Sequence, residues 1–152
     1  MKIYTIGYGG DKKEDFLKAL KDNNIGILVD VRSSPYSKYQ SWTNKDDFKE
    51  WLNDNDIHYT WKKVLGGKPV SPDNVILDYL KRMEVAYNKA KDLLNGRNLT
   101  VMCSEADPDR CHRKQDLARV GEANGFEFEH ILVSKRLKEE KKLDDMVLEF
   151  DF

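Results

Sequence analysis

The chain contains no run of about 20 consecutive apolar residues, the length a helix needs to span a bilayer. The apolar stretch after Met1, Lys2-Ile3-Tyr4-Thr5-Ile6, is too short for a signal peptide. The expectation is a cytoplasmic protein with no membrane partner. Cysteine is scarce: Cys103 and Cys111 are the two in 152 residues. Two thiols allow one disulfide at most, and in a reducing compartment a site thiol or metal ligand is expected ahead of a structural disulfide, with a transient redox pair kept open. An excess of one charge is also missing. Lys and Arg number 26 against 27 Asp and Glu, a formal net charge of -1, so no global field draws the protein to nucleic acid, and any such contact has to be local. No internal repeat, low-complexity segment or linker divides a chain of ordinary one-domain length.

Short apolar runs alternate with amphipathic ones. Ile3-Tyr4-Thr5-Ile6 is β-rich and breaks at Gly7-Tyr8-Gly9-Gly10, after which Asp11 is placed to cap a helix carrying Phe16, Leu17 and Leu20. Ile27-Leu28-Val29-Asp30-Val31 is a second strand, ended by Arg32-Ser33-Ser34-Pro35. Thr43-Asn44 opens a helix bearing Phe48, Trp51 and Leu52, residues 57–61 alternate as a third strand, and Leu65-Gly66-Gly67-Lys68-Pro69 turns the chain. A long helix runs from about Pro72 toward Leu94 and stops at Asn95-Gly96. Leu99 to Cys103 is the fourth strand, Arg113 to Asn124 a helix closed by Gly125, and Phe126 to Val133 the fifth strand. Residues 1–134 thus read as a single α/β domain, a mainly parallel five-stranded sheet with helices on both faces. Residues 135–152 read as a charged C-terminal tail, helical in part. In such sheets ligands sit beyond the carboxyl ends of the strands. One edge should therefore gather residues 7–10, 30–33, 65–68, 103–113 and 134–136.

The segment from Met102 to Arg113 carries two thiols, an imidazole, two arginines and three carboxylates behind the apolar run Leu99-Thr100-Val101. Hydrophobic folding explains none of those side chains. Cys103 is the candidate nucleophile or redox thiol, against the alternative of a small buried hydrophobe. Arg32, Arg110, Arg113 or a free backbone amide would hold its thiolate. Glu105 and His112 are the candidate proton carriers. Cys111 and His112 are expected to begin the next helix with Asp107 or Asp109 as cap, so that the helix dipole favours a thiolate at Cys111 and a neutral His112. Six residues separate Cys103 from Arg110, and Glu105, Asp107 and Asp109 intervene, which disfavours a bare cysteine–arginine phosphate loop. A zinc set of Cys103, Cys111 and His112 with His58, Asp30 or Glu105 is chemically admissible. Neither Cys-x-x-Cys nor His-x-x-x-His occurs, however, so no cofactor is expected, with zinc the one exception held open.

Asp30 and Arg32 share one side of their strand. They read either as a local ion pair or as cleft residues, Asp30 orienting His112 or a substrate hydroxyl and Arg32, beside Ser33, binding an anion. Gly7-Tyr8-Gly9-Gly10 lacks the third glycine of a dinucleotide loop, where Lys12 stands, but Tyr8 can offer a ring or hydroxyl to the cleft. The loop Pro35 to Trp42, with Tyr59, Trp61, Lys62 and Lys63, interleaves aromatics with bases as single-stranded nucleic-acid sites do. Phe48 and Trp51 are expected in the core, whereas Tyr36, Tyr39 and Trp42 serve equally well as core or as lid.

Three segments together, Thr5-Ile6-Gly7-Tyr8-Gly9, Leu28-Val29-Asp30-Val31-Arg32-Ser33-Ser34-Pro35 and Met102-Cys103-Ser104-Glu105 with Cys111-His112-Arg113, resemble the domain of unknown function 488 family. Ile57-His58-Tyr59, Leu65-Gly66-Gly67 and His130-Ile131 support the resemblance, which extends from residue 3 to about residue 132. Members of that family commonly carry His-Ser after the first Ile-Gly, where this chain has Tyr8-Gly9, so any chemical role of that histidine is absent or transferred here. The family implies no established activity. From the residues, the leading expectation is an enzyme with a cysteine-based strand-end cleft acting on an anionic nucleotide or nucleic-acid-related substrate. Cys103, Glu105 and His112 would react, and Tyr8, Asp30, Arg32, Ser33, Arg110 and Arg113 would bind. The rivals are a non-catalytic nucleotide or nucleic-acid binding module and a structural zinc site.

Overall fold

The middle strands are mostly apolar, with Thr5 and Thr100 buried among hydrophobic residues, because both faces of the sheet are covered. In the computed structural model, which describes residues 1–149, five strands form one sheet: β1 (Lys2–Gly7), β2 (Ile25–Asp30), β3 (His58–Trp61), β4 (Asn98–Cys103) and β5 (Glu127–His130). Their order is β3-β2-β4-β1-β5 and every pairing is parallel. Adjacent residues serve opposite cores. Leu28 and Met102 pack with Phe16 and Leu20 of α1 (Lys13–Asp22) and Phe48 and Leu52 of α2 (Lys45–Asp54). Val29 and Val101 pack with Ile76 and Leu80 of α3 (Asp73–Ala90) and with Leu117 and Val120. The last two belong to a π-helical turn, Arg113–Ala118, and the α4 helix that continues it, Arg119–Glu122. The final helix, α5 (Lys135–Leu148), buries none of its residues.

The winding decides where a ligand can sit. The chain leaves β1 toward α1 on one face, and leaves β4 toward the π-turn and α4 on the other, although β1 and β4 are neighbours with Gly7 opposite Cys103. Loops that diverge from adjacent parallel strands leave a crevice beyond their carboxyl ends.

Several local expectations need correction. Asp11 does not cap α1: the cap position is Lys12, with no side-chain bond, and the Asp11 carboxylate turns inward, where burial and Asp15 raise its pKa and one oxygen has no partner. The long third helix ends at Ala90, before Leu94, because residues 91–96 form turns that close on Asn95 and Gly96 at positive φ. The helix expected over residues 113–124 ends at Glu122, before a turn, and its opening turn is π, which brings Arg113 fully inside while Leu117 and Ala118 are buried as well. The fifth strand stops at His130, beyond which only Ile131 still bonds β1, through the Thr5 carbonyl. Trp42 is no lid residue. It packs edge-on against Tyr8, Phe16, Phe48 and Trp51, leaving Tyr36 and Tyr39 as the exposed rings of that loop.

Candidate functional site at the carboxyl edge of the sheet

The crevice is a cleft of about 560 Å³. Its lining comes from three strand ends and two loops: Tyr8 after β1, Arg32 and Ser33 after β2, Cys103 to Glu105 after β4, Gly67 and Lys68, and Arg110 to His112.

Beneath β2 lies a buried polar network. Asp30 is wholly inaccessible and Arg32 nearly so. The Arg32 guanidinium donates through Nε at 3.0 and 3.1 Å and through a terminal nitrogen at 2.7 Å to the Asp30 carboxylate, and the Tyr59 hydroxyl donates to the same carboxylate at 2.6 Å. The remaining guanidinium donors reach the Tyr8 hydroxyl, the Thr43 hydroxyl and the Thr43 carbonyl. Burial opposes the charge on Arg32, but the Asp30 carboxylate outweighs it and raises the pKa; burial and Asp30 together push the Tyr59 phenol up. Asp30 therefore orients Arg32 and Tyr59, and does not reach His112. Arg32 borders the cleft with its donors already engaged. Ser33 accepts from the Lys68 amide at 2.8 Å and ties the two loops together.

The thiol cluster sits between β4 and the π-turn. His112 Nε2 lies 3.0 Å from the Val31 carbonyl, an oxygen that only accepts, so Nε2 carries the hydrogen and Nδ1 presents its lone pair. That lone pair faces two sulfurs, Cys111 at 3.6 Å and Cys103 at 3.8 Å. The expectation that a helix dipole makes Cys111 the thiolate does not hold, since the contact between the two sulfurs favours the charge on Cys103, whereas a neutral His112 agrees with this hydrogen-bond pattern. Cys111 is extended, follows a short 3-10 turn (Pro108–Arg110, capped by the Asp107 side chain), and stands at the head of the next helix with its carbonyl accepting from the Lys114 and Gln115 amides, but the neighbours of its thiol outweigh that position. The Cys111 thiol donates toward Cys103, which together with burial pushes Cys111 up to about 12. Receiving that bond, and with the amides of Glu105 and Ser104 and the Arg113 charge nearby, Cys103 falls to about 6 despite its burial. Burial would lower His112, yet the facing Cys111 sulfur and the Val31 and Leu65 carbonyls raise it.

Arg113 explains why negative charge belongs here. It is fully buried, donates to the Glu105 and Ala106 carbonyls and to the Thr5 hydroxyl, and has no carboxylate partner among the described residues. An uncompensated buried cation costs several kcal/mol, and an anionic Cys103 offsets it. The three acids that speak against an anion site are largely disarmed. Asp109 is held to about 2, first by Lys114 and then by Lys141 of α5. Asp107 resists burial through Lys141, 2.9 Å away. Lys68 and Arg110, by contrast, are exposed at the mouth, with no side-chain partner among the described residues, and Tyr36 stands beside them. Glu105 is exposed at the rim and accepts from the Asp107 amide at 3.0 Å. His58 begins β3, at the opposite end of the sheet, and cannot join the cluster. Sequence reasoning missed Lys68 and the Val31 carbonyl. The glycines before Lys68 announced a turn, but no sequence signal marks a backbone oxygen as the partner of a ring.

On the β1 side the Thr5 hydroxyl accepts from Arg113 Nε and shares a 2.6 Å hydrogen bond with His130 Nδ1. Burial, then the Lys114 and Arg113 charges, lower His130 to about 4, whereas an unfolded chain takes up this proton near pH 6.5, as an ordinary histidine does. Between those values the unfolded state binds more protons, so stability should fall as pH drops from about 6.5 toward 4. Urea midpoints at pH 7 and pH 5 should show this loss, and His130→Gln should shrink it. An unchanged difference would assign the acid sensitivity to other groups.

The chain is thus an α/β domain of one parallel sheet with a thiol and imidazole cluster in its switch-point crevice. A family model described as "Domain of unknown function DUF488" matches residues 12–115, more than half of the chain, and the protein belongs to that family. The match includes β2, the Cys103 segment and Cys111-His112-Arg113; the glycine turn after β1 and His130 lie outside it or at its margin. No curated protein and no solved structure matches the chain. Among the described residues no helix is long and apolar enough to cross a membrane.

Proposed function

We propose that this protein is an enzyme that binds an anionic substrate of nucleotide or nucleic-acid type at the carboxyl edge of its sheet and reacts it at the Cys103 cluster. The observation that carries this reading is the charge arrangement among the described residues: a buried guanidinium without a carboxylate partner, Arg113, lies close to Cys103, while two cations without a side-chain partner, Lys68 and Arg110, stand at the mouth of the same cleft. Lys68 and Arg110 receive the anionic group, and the exposed Tyr36 ring offers a stacking face beside it. Cys103 supplies the reactive electron pair, His112 Nδ1 accepts or returns a proton, and Glu105 at the rim is the second acid or base. Arg113 is a positioning residue that holds the Glu105 and Ala106 carbonyls and balances charge.

Turnover should be screened on nucleotides, phosphate esters and short single-stranded oligonucleotides, with binding followed separately. Lys68→Ala and Arg110→Ala should each weaken binding about tenfold, the equivalent of one charge-assisted hydrogen bond, and flatten its salt dependence. Cys103→Ala should abolish turnover and spare binding. Turnover that survives in Cys103→Ala overturns the reading. Salt-sensitive binding with no turnover on any substrate favours the second reading, a non-catalytic module, which the exposed Lys68, Arg110 and Tyr36 would serve without any thiol.

A further inference from the structure

We propose that Cys103, Cys111 and His112 bind one divalent ion of the zinc class, in a three-ligand site whose fourth position opens on the cleft. The inference rests on the reading of that cleft as the reaction site, and it directs the sulfur electron pairs to an ion.

The geometry of the ligand atoms carries the argument. A neutral imidazole nitrogen has one lone pair and can accept one S–H bond. Here two sulfurs converge on the same Nδ1, at 3.6 and 3.8 Å, and all three ligand atoms lie within 4.8 Å of one another. Hydrogen bonding satisfies only one of the two approaches. A shared ion satisfies both, because metal–sulfur bonds of about 2.3 Å and a metal–nitrogen bond of about 2.0–2.1 Å at tetrahedral angles place sulfur and nitrogen about 3.6 Å apart.

The surroundings match a metal site as well. Histidine ligands donate their other ring hydrogen to a carbonyl or carboxylate, which fixes the ring and its tautomer; His112 Nε2 does so to Val31 at 3.0 Å. Gly67 lies against the ring, and a β-carbon there would come within 3.0 Å of it, so the imidazole has little room to turn away. Two thiolates and one imidazole are borderline-soft donors that suit zinc over magnesium or calcium. Both cysteines are buried, at 8% and 4% exposure, yet both line the cleft with His112. Among the described residues no fourth His, Cys, Asp or Glu joins the cluster, the pattern in which a catalytic site keeps a position for water or substrate. Charge agrees. Two thiolates neutralise a divalent ion, the buried Arg113 then leaves one positive charge behind it, and an anionic group entering from the Lys68 and Arg110 mouth finds a complementary field.

Binding releases the thiol protons to solvent and changes no oxidation state, so no further reactant is needed. The test uses the full chain without a tag. Metal analysis of the purified protein is expected to find one zinc per chain. After chelation, cobalt(II) titration should restore one equivalent and produce the sulfur-to-cobalt charge-transfer absorption of a thiolate site. Cys103→Ser, Cys111→Ser and His112→Ala should each lose that absorption, with circular dichroism checking that they remain folded. Iodoacetamide should alkylate both thiols only after chelation.

If the metal-free protein takes up neither ion, and Cys103 alkylates rapidly without chelator, the metal is excluded and the thiol-centred enzyme stands. If no ion binds and both thiols are inert, both readings fail. One ion per chain that persists in all three folded variants places the metal elsewhere and overturns this site. Should the serine variants not fold, the cobalt spectrum of the wild-type chain decides alone, since its charge-transfer band requires sulfur on the metal.

Discussion

Asp30→Ala should lower stability by about 3–5 kcal/mol, the usual consequence of removing one partner of a buried ion pair. For a chain of this size that corresponds to a fall in Tm of roughly 6–20 °C. The cost is high because Asp30 is wholly inaccessible and accepts from Arg32, from Tyr59 and from the Arg32 amide. Without the carboxylate, the Arg32 charge remains inside with only the Tyr8 and Thr43 oxygens to meet it. Arg32→Met strands the opposite charge and should cost a similar amount. The double variant Asp30→Ala, Arg32→Met should cost clearly less than the two single losses added, because no isolated charge is left. Urea denaturation of the four proteins measures the coupling. Additive losses would show that the pair does not act as a unit, and would remove the account of how the cleft wall at Tyr8 is held.

Gly7→Ala should be nearly as damaging, at or above the upper end of the about 1–3 kcal/mol typical of overpacking. A β-carbon on Gly7 would fall 1.7 Å from the Glu105 carbonyl oxygen and 2.6 Å from its carbon, both backbone atoms that cannot swing aside. That carbonyl is bound by the buried Arg113, and the Gly9 amide bonds the neighbouring Ser104 carbonyl at 2.8 Å. Relief therefore means moving the segment after β4, the one that carries Cys103. The variant should lose metal or anion binding along with stability. Gly10→Ala is the matched control, since a β-carbon there meets nothing within 4 Å. Equal stability of the Gly7 and Gly10 variants, by thermal melting, would refute the close approach of β1 to the Glu105 segment.

The location of the cleft was legible because its chemistry is concentrated in sequence. Cys103, Glu105, Arg110, Cys111 and His112 lie within ten residues of each other, and a strand-end rule brings Tyr8 and Ser33 to them. The strands were legible because each middle strand is mostly apolar and is followed by a polar or glycine break. Their limits were less so. Local capping preference pointed to Asp11, which turns inward instead, and helical periodicity does not separate a π opening turn from an α one. Trp42 looked equally suited to a lid because its sequence neighbours are polar; it packs against Phe48 and Trp51 of the following helix and, from far off in sequence, against Tyr8 and Phe16.

By itself, then, the sequence determined the class: alternating apolar strands and amphipathic helices admit few arrangements other than a covered parallel sheet, and its rare reactive residues mark one end of it. Only the tertiary structure decided what each reactive residue does. Which sulfur bears the charge depends on a hydrogen bond between two cysteines and on a guanidinium buried behind one of them. His112 owes its tautomer to a carbonyl 81 positions away in the chain. Whether Arg32 or Arg110 is free to meet an anion depends on whether a buried carboxylate has already claimed it. Periodicity acts over a few residues and survives translation into sequence, whereas charge, proton position and ligand geometry are set by distances between atoms that only folding brings together.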